Sequence, residues 1–193
     1  MGFCQQTISR SIELDCSVPQ VAGLEPKGWI INRDDIDFGA SSDVVDGKTD
    51  SIVLKTGKKA YTIAQPTKSP FSGTTTTLEE GTYQNTFTNT LSFVVLNNTP
   101  QVIQNIINPL ASGQFVVVLE NKCKDITGTT GQEFQLYGWY QGLTATAIEQ
   151  DKYSEDTEGG WAVTLTESRS PSAASFVFDA DYQTTKTMLD ALV

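Results

Sequence analysis

The sequence predicts a mainly β fold, a sandwich or barrel with one flanking α-helix and long loops or arms. Short runs of period-two alternation recur along the chain, Gly, Pro and Asp-rich turns separate them, and only two stretches switch to helical spacing. With 193 residues and 38% hydrophobic content, there is enough apolar material for one packed domain. The expected division is an N-terminal arm (1–27), a loop and hairpin excursion (34–77), a core (78–178) and a C-terminal tail (179–193).

Residues 1–27 scatter Ile8, Ile12, Leu14 and Val18 among polar residues, and Pro19 and Pro26 break any long element. Residues 28–33 (GWIINR) form a first strand. The acidic, Gly/Ser-rich stretch that follows has turn chemistry throughout. Residues 50–55 and 59–65 read as a protruding hairpin: Ile52 and Leu54 alternate with Val53 and Lys55, residues 56–58 (TGK) turn, and Tyr61 and Ile63 resume the alternation. Pro66, Pro70, Gly73 and four consecutive threonines then suggest a long loop rather than a packed element.

The segment 86–122 organises the rest. Phe87, Leu91, Phe93 and Val95 share one face of a strand, interrupted once by Asn89, and Thr86, Thr88, Thr90 and Ser92 share the other. Thr99 is then an N-cap, Pro100 suits the first helical position, and Val102, Ile103, Ile106, Ile107 and Leu110 define an apolar helical face up to Gly113. The run QFVVVLE (114–120) reads as a central strand covered on both sides, with the helix as one cover. After a Gly/Thr turn at 124–131, residues 133–148 give two strands or one bent strand, with Gly138 and Gly142 at the bends. Trp161, Val163 and Leu165 mark another strand, Phe176 and Phe178 a last one, and 181–193 a short helix capped by Asp181 with Met188, Leu189 and Leu192 on one face.

Absences limit the chemistry. The chain has no histidine, which removes Ser-His-Asp and Cys-His nucleophile arrangements, a histidine general base and mixed Cys/His zinc sets. Cys4, Cys16 and Cys123 contain no CxxC pair and read as reduced thiols. Asp34, Asp35, Asp37, Asp43 and Asp46 do not follow the EF-hand ligand order and read as a solvated loop. Asp125-Ile126-Thr127-Gly128 has one residue too many for an aspartic-protease motif. Glu79 with Asp156 is the kind of carboxylate pair that glycoside hydrolysis would need. No catalytic residue, metal site or cofactor is therefore expected. Thirteen basic against 23 acidic residues give a net charge of −10, which opposes a broad footprint on nucleic acid or anionic lipid. No run approaches the ~18 apolar residues of a membrane span and the N-terminus lacks an apolar signal region, so synthesis in a cytoplasm is expected.

From Glu79 to Ala173 the order of elements resembles the major tail tube proteins of tailed bacteriophages, particularly virion proteins of Bacteroidetes phages and prophages. The likeness rests on QNTFTNTLSFVVLN, on TPQVIQNIINPL followed by GQFVVVLENK, on FQLYGWYQGLTAT and on the closing GGWAVTLTESRSPSA. Gly160, Trp161, Val163, Thr164, Leu165, Thr166 and Pro171 fit the family's closing strand, whereas Glu167 is displaced and a Ser-rich turn precedes the alanines. FCQQTISRSIELDC is similar to the family's Cys-containing arm, and residues 32–77 and 179–193 match no pattern. The resemblance implies a β-sandwich whose copies, six to a ring, stack into a hollow tube within a virion tail, assembled in the host cytoplasm. Its partners would be itself, other tail proteins and passing DNA held without specific contacts. Another ring, head-tail or capsid decoration protein is the alternative, and a carboxylate hydrolase a further one. On this reading the 34–77 excursion becomes ordered against a neighbour, and acidic side chains face the lumen. Candidate interface residues are Ile52, Val53, Leu54, Tyr61, Ile63, Thr86, Thr88 and Thr90. The helix lies on the outside of the ring with Ile106 packed inward.

Overall fold

A computed structural model describes residues 8–13, 21–65, 68–125 and 130–193. Ten strands form two open sheets. One has six strands in the order β2 (Lys48–Thr49), β10 (Ser175–Val177), β7 (Phe134–Tyr137), β6 (Phe115–Asn121), β1 (Leu24–Asn32) and β3 (Tyr61–Ala64), the other four in the order β4 (Phe71–Glu79), β5 (Thr86–Val95), β9 (Trp161–Ser170) and β8 (Thr144–Gln150). Neither closes on itself, so the architecture is a sandwich and not a barrel.

The middle of the larger sheet is β6 (Phe115–Asn121), paired antiparallel with β1 (Leu24–Asn32) and β7 (Phe134–Tyr137). Its apolar run is continuous because both faces are covered. Phe115, Val117 and Leu119 meet Leu91 and Phe93 of β5 (Thr86–Val95), Val163 and Leu165 of β9 (Trp161–Ser170), and Leu110 of the internal helix. Val116 and Val118 point the other way, into a core with Trp29, Ile31, Ile36, Ile52, Phe134 and Leu189. The molecule thus has three layers: the four-stranded sheet with the internal helix, the six-stranded sheet, and a cover made by the 36–60 region and the C-terminal helix (Tyr182–Ala191).

The C-terminal helix forms as its sequence suggests, with the Asp181 carboxylate accepting from the Thr184 amide at 2.8 Å and Leu189 fully buried. It is tied to β6 by charge. Glu120, 2% exposed, accepts from the Tyr182 hydroxyl at 2.7 Å and pairs with Lys124 at 2.7 Å and Lys186 at 3.1 Å. Burial pushes the Glu120 carboxyl up, but hydrogen bonds from Lys124, Tyr182 and Lys186 outweigh it and hold the group below its usual range. Burial likewise depresses Lys124, and bonds to Glu120 and Glu25 more than reverse this.

Several expectations are corrected. β1 begins at Leu24, so the arm is shorter than 1–27. Residues 50–65 make no hairpin: Leu54 bridges Ile36, and β3 (Tyr61–Ala64) pairs with β1. The turn at residues 56 and 57 is present, but Ile52 and Ala60 are both drawn into the core, which separates the two arms. Around it, β2 (Lys48–Thr49) pairs parallel with β10 (Ser175–Val177), and Asp37 Oδ1 accepts from the amides of Gly39 and Ala40. The excursion is therefore folded onto its own subunit. The threonine run is not a loop either; β4 (Phe71–Glu79) pairs along β5. Consecutive β-branched residues are stiff and fit a pleated surface, which outweighs the flanking Pro and Gly.

The internal helix, residues 100–112, is capped by the Thr99 hydroxyl and ends at Gly113. Its middle, Ile103–Ile107, is wound as a π-turn closed by the Asn108 amide on the Ile103 carbonyl. Pro109 follows directly, has no N–H to give and crowds the carbonyl four residues earlier; widening the turn accommodates it. That widening rotates the apolar face. Val102, Ile107 and Leu110 are buried, whereas Ile103 and Ile106 are 37% and 41% exposed, so Ile106 does not pack inward. The turn expected at 124–131 lies partly outside the described residues, as do Cys4, Cys16 and residues 126–128 of the Asp-Ile-Thr-Gly stretch.

Candidate assembly surface

The outward face of the four-stranded sheet is built of hydroxyls. Alternation on β5 turns Thr86, Thr88, Thr90 and Ser92 away from the core, and register aligns their counterparts on the other strands. Thr75 stands opposite Thr90, Thr90 opposite Thr166, and Thr166 opposite Thr144, one threonine per strand across the whole sheet. The next row runs Gly73, Ser92, Thr164 and Ala147. Ser92 and Thr164 hydroxyls are 3.1 Å apart, and those of Thr146 and Thr166 are 3.0 Å apart. Such cross-strand pairs stabilise a sheet while leaving its face polar, and the one cation on these strands is Arg169, exposed at the bulge of β9. Carboxylates stand only on the edge strands of this face: Glu79 on β4, beside Thr86, and Glu149 on β8 (Thr144–Gln150), beside Ala162. The acidic surplus does not line this face.

Both edges of the sheet are open among the described residues. The nine-residue β4 and seven-residue β8 each pair on one side only. Every pairing inside the sheet is antiparallel, so β4 and β8 run in opposite directions. Long unpaired edges are templates for pairing with another chain. Neither strand contains proline or lysine, and each carries a single bulge, at Ser72 in β4 and at Thr146 in β8.

Beneath the hydroxyl face, one polar knot holds this sheet to the other. Asn89, which breaks the apolar face of β5, is fully buried and donates from Nδ2 to Glu167 Oε2 at 3.0 Å, while its Oδ1 accepts from the Thr76 hydroxyl at 2.8 Å. The Glu167 carboxylate, 2% exposed, also accepts from the amides of Gly138, Tyr140 and Gln141 at 3.2, 3.1 and 2.9 Å. These amides belong to the link by which the chain leaves β7 in one sheet and enters β8 in the other. Gly138, at φ +82°, has no room for a side chain, since a Cβ there would lie 2.5 Å from the Phe115 carbonyl oxygen.

Of the residues expected at an interface, Thr86, Thr88 and Thr90 lie together on the hydroxyl face. Tyr61 and Ile63 lie on β3, the edge of the other sheet, with Tyr61 49% exposed. Val53 and Leu54 are half-buried, and Ile52 is 3% exposed inside the subunit's own core, where it cannot meet a neighbour. Thr75, Thr77, Thr144, Thr146, Thr164 and Thr166 complete the face and were not singled out. Their period-two spacing is visible in the sequence, but their sharing of one face depends on strand order. Glu79 and Asp156 make no dyad: Glu79 aligns with the Thr86 end of β5, while Asp156 precedes Trp161, which aligns with Val95. The length of β5 separates those ends by about 30 Å, against the 5–10 Å that hydrolysis needs.

Among the described residues no helix is long and apolar enough to cross a membrane. No protein family, curated protein or solved structure matches the chain.

Proposed function

We propose that the chain is a structural subunit of a phage tail tube, joining its copies through the edges of the four-stranded sheet into rings that stack and conduct DNA. The observation that carries this reading is the pair of open, oppositely directed edges β4 and β8 on a sheet with a hydroxyl-rich face. In a ring, β8 of one copy meets β4 of the next antiparallel, so rotation alone continues the sheet and leaves no edge exposed. The threonine face then lines the bore. A lining mostly of hydroxyls offers DNA phosphates one cation, Arg169 at the bulge of β9, and Glu79 and Glu149 add repulsion near the seams.

The purified full chain examined by negative-stain electron microscopy tests this. Long hollow tubes are the expected result; discrete rings would indicate another ring component, and a persistent monomer would overturn the reading. A mixture of Thr75→Cys and Thr146→Cys chains checks the seam, since disulfide-linked pairs should form only if β4 and β8 meet.

A further inference from the structure

The edge strand β3 borders an open apolar groove of about 970 Å³, between the six-stranded sheet and the internal helix. Its floor is formed by half-buried Ile30 and Ile63, with the buried Phe93 and Phe115 beneath them. At its walls Tyr61, Leu96 and Ile106 are 49%, 43% and 41% exposed. The backbone of β3 is open along the same side. The Gln65 amide bonds Pro26, and register places Ile63 opposite Gly28 and Tyr61 opposite Ile30. Alternation therefore turns the N–H and C=O of Tyr61 and Ile63 toward β1 and those of Thr62 and Ala64 outward. Ala60, the preceding residue in the outward series, already donates outward, to the Leu192 carbonyl at 2.7 Å.

Residues 8–13 (ISRSIE) carry the two most exposed isoleucines, Ile8 at 83% and Ile12 at 92%. In extended chain both lie on one side, with Arg10 between them. Gln104 and Asn105 on the helix wall supply amide oxygens for that guanidinium. Reach lets this segment meet a groove on another copy. The stretch from Ile8 to Leu24 spans up to about 50 Å extended, roughly three times the ~16 Å radius of gyration of a domain this size. Within the subunit both isoleucines stand in solvent, so the segment does not fill its own groove.

We propose that residues 8–13 of a neighbouring copy add as a strand to the outer edge of β3, seating Ile8 and Ile12 on the groove floor. This contact is separate from the β4 and β8 edges and does not depend on the tube reading. Two full-length variants with the native cysteines replaced by serine, one carrying Ile12→Cys and the other Gln104→Cys, are mixed and oxidised. A disulfide-linked dimer is expected, and Ile106→Asp in the groove-bearing partner should lower its yield at least tenfold. Amide exchange of the unmodified chain gives an independent reading: Thr62 and Ala64 should become protected as concentration rises. No linked dimer, a link formed only within a chain carrying both cysteines, or unchanged exchange at Thr62 and Ala64 would overturn the proposal. A linked dimer in a protein that never forms tubes would uphold it and sink the tube reading.

Discussion

Glu167 holds four donors with one carboxylate, and removing it leaves the Asn89 side chain and the Gly138 amide buried without this acceptor and takes it from the less buried amides of Tyr140 and Gln141. Glu167→Ala should lower unfolding stability by about 3–5 kcal/mol, read from the denaturation midpoint at constant slope. A change under ~1 kcal/mol would show that the 138–142 link finds other partners. Neighbouring positions on the internal helix make a sharper contrast. Ile107→Asp buries an unpaired carboxylate and should cost about 3–5 kcal/mol, whereas Ile106→Asp, at a 41% exposed site, should stay within ~1 kcal/mol of the parent. Sequence spacing alone assigns both to one buried face, because it assumes 3.6 residues per turn and cannot register the π-turn before Pro109. Asn89 likewise reads only as an interruption. Its partner lies 78 residues away, and strand register, which no local pattern encodes, brings the two together.

At the scale of elements, the C-terminal helix is held to β6 through a titratable carboxylate, Glu120. Glu120 is held below its ordinary value near 4.5, so its bonds to Lys124, Lys186 and Tyr182 contribute fully above that pH and are lost as pH falls through the lower, folded value. Lys124 is held above its ordinary 10.5, so its share is complete below that value and lost at strongly alkaline pH. The amide-exchange protection of Tyr182–Ala191 should therefore fall below about pH 4.5, ahead of the rest of the chain, and Glu120→Gln should remove most of that dependence. Equal loss of protection in parent and variant would place the sensitivity elsewhere. Elements with strong local signals were legible: β5, β6, β9 and both helices follow from period, caps and breakers. The 34–77 region was not. Its polar turns conceal Ile36, Ile52 and Ala60, single apolar residues that no periodicity links and that only the third layer brings together.

For the whole molecule, charge is the property that composition described least well. A net charge of −10 suggests an acidic lumen, yet the face proposed to line the bore is hydroxyl-rich, with Glu79 and Glu149 on the edge strands. Replacing both by Lys should leave tubes intact but make them retain double-stranded DNA at low salt and release it near 1 M, where the Debye length falls to about 3 Å. Charge-reversed tubes that retain no DNA in a filtration assay would assign those carboxylates another role. Alternation displays the threonines in the sequence, but only the assembled sheet shows that they form rows. The three-layer arrangement also bears on timing. Leu189 is the last residue to join the core on one face of the central strand, and β10, which pairs with β7, lies almost as late in the chain. During synthesis the growing chain thus carries β4 and β5 long before it can complete β9, β8's partner on the inner side of that edge. The β8 edge is thus backed only once residues 161–170 have been made, long after the β4 edge has its partner β5.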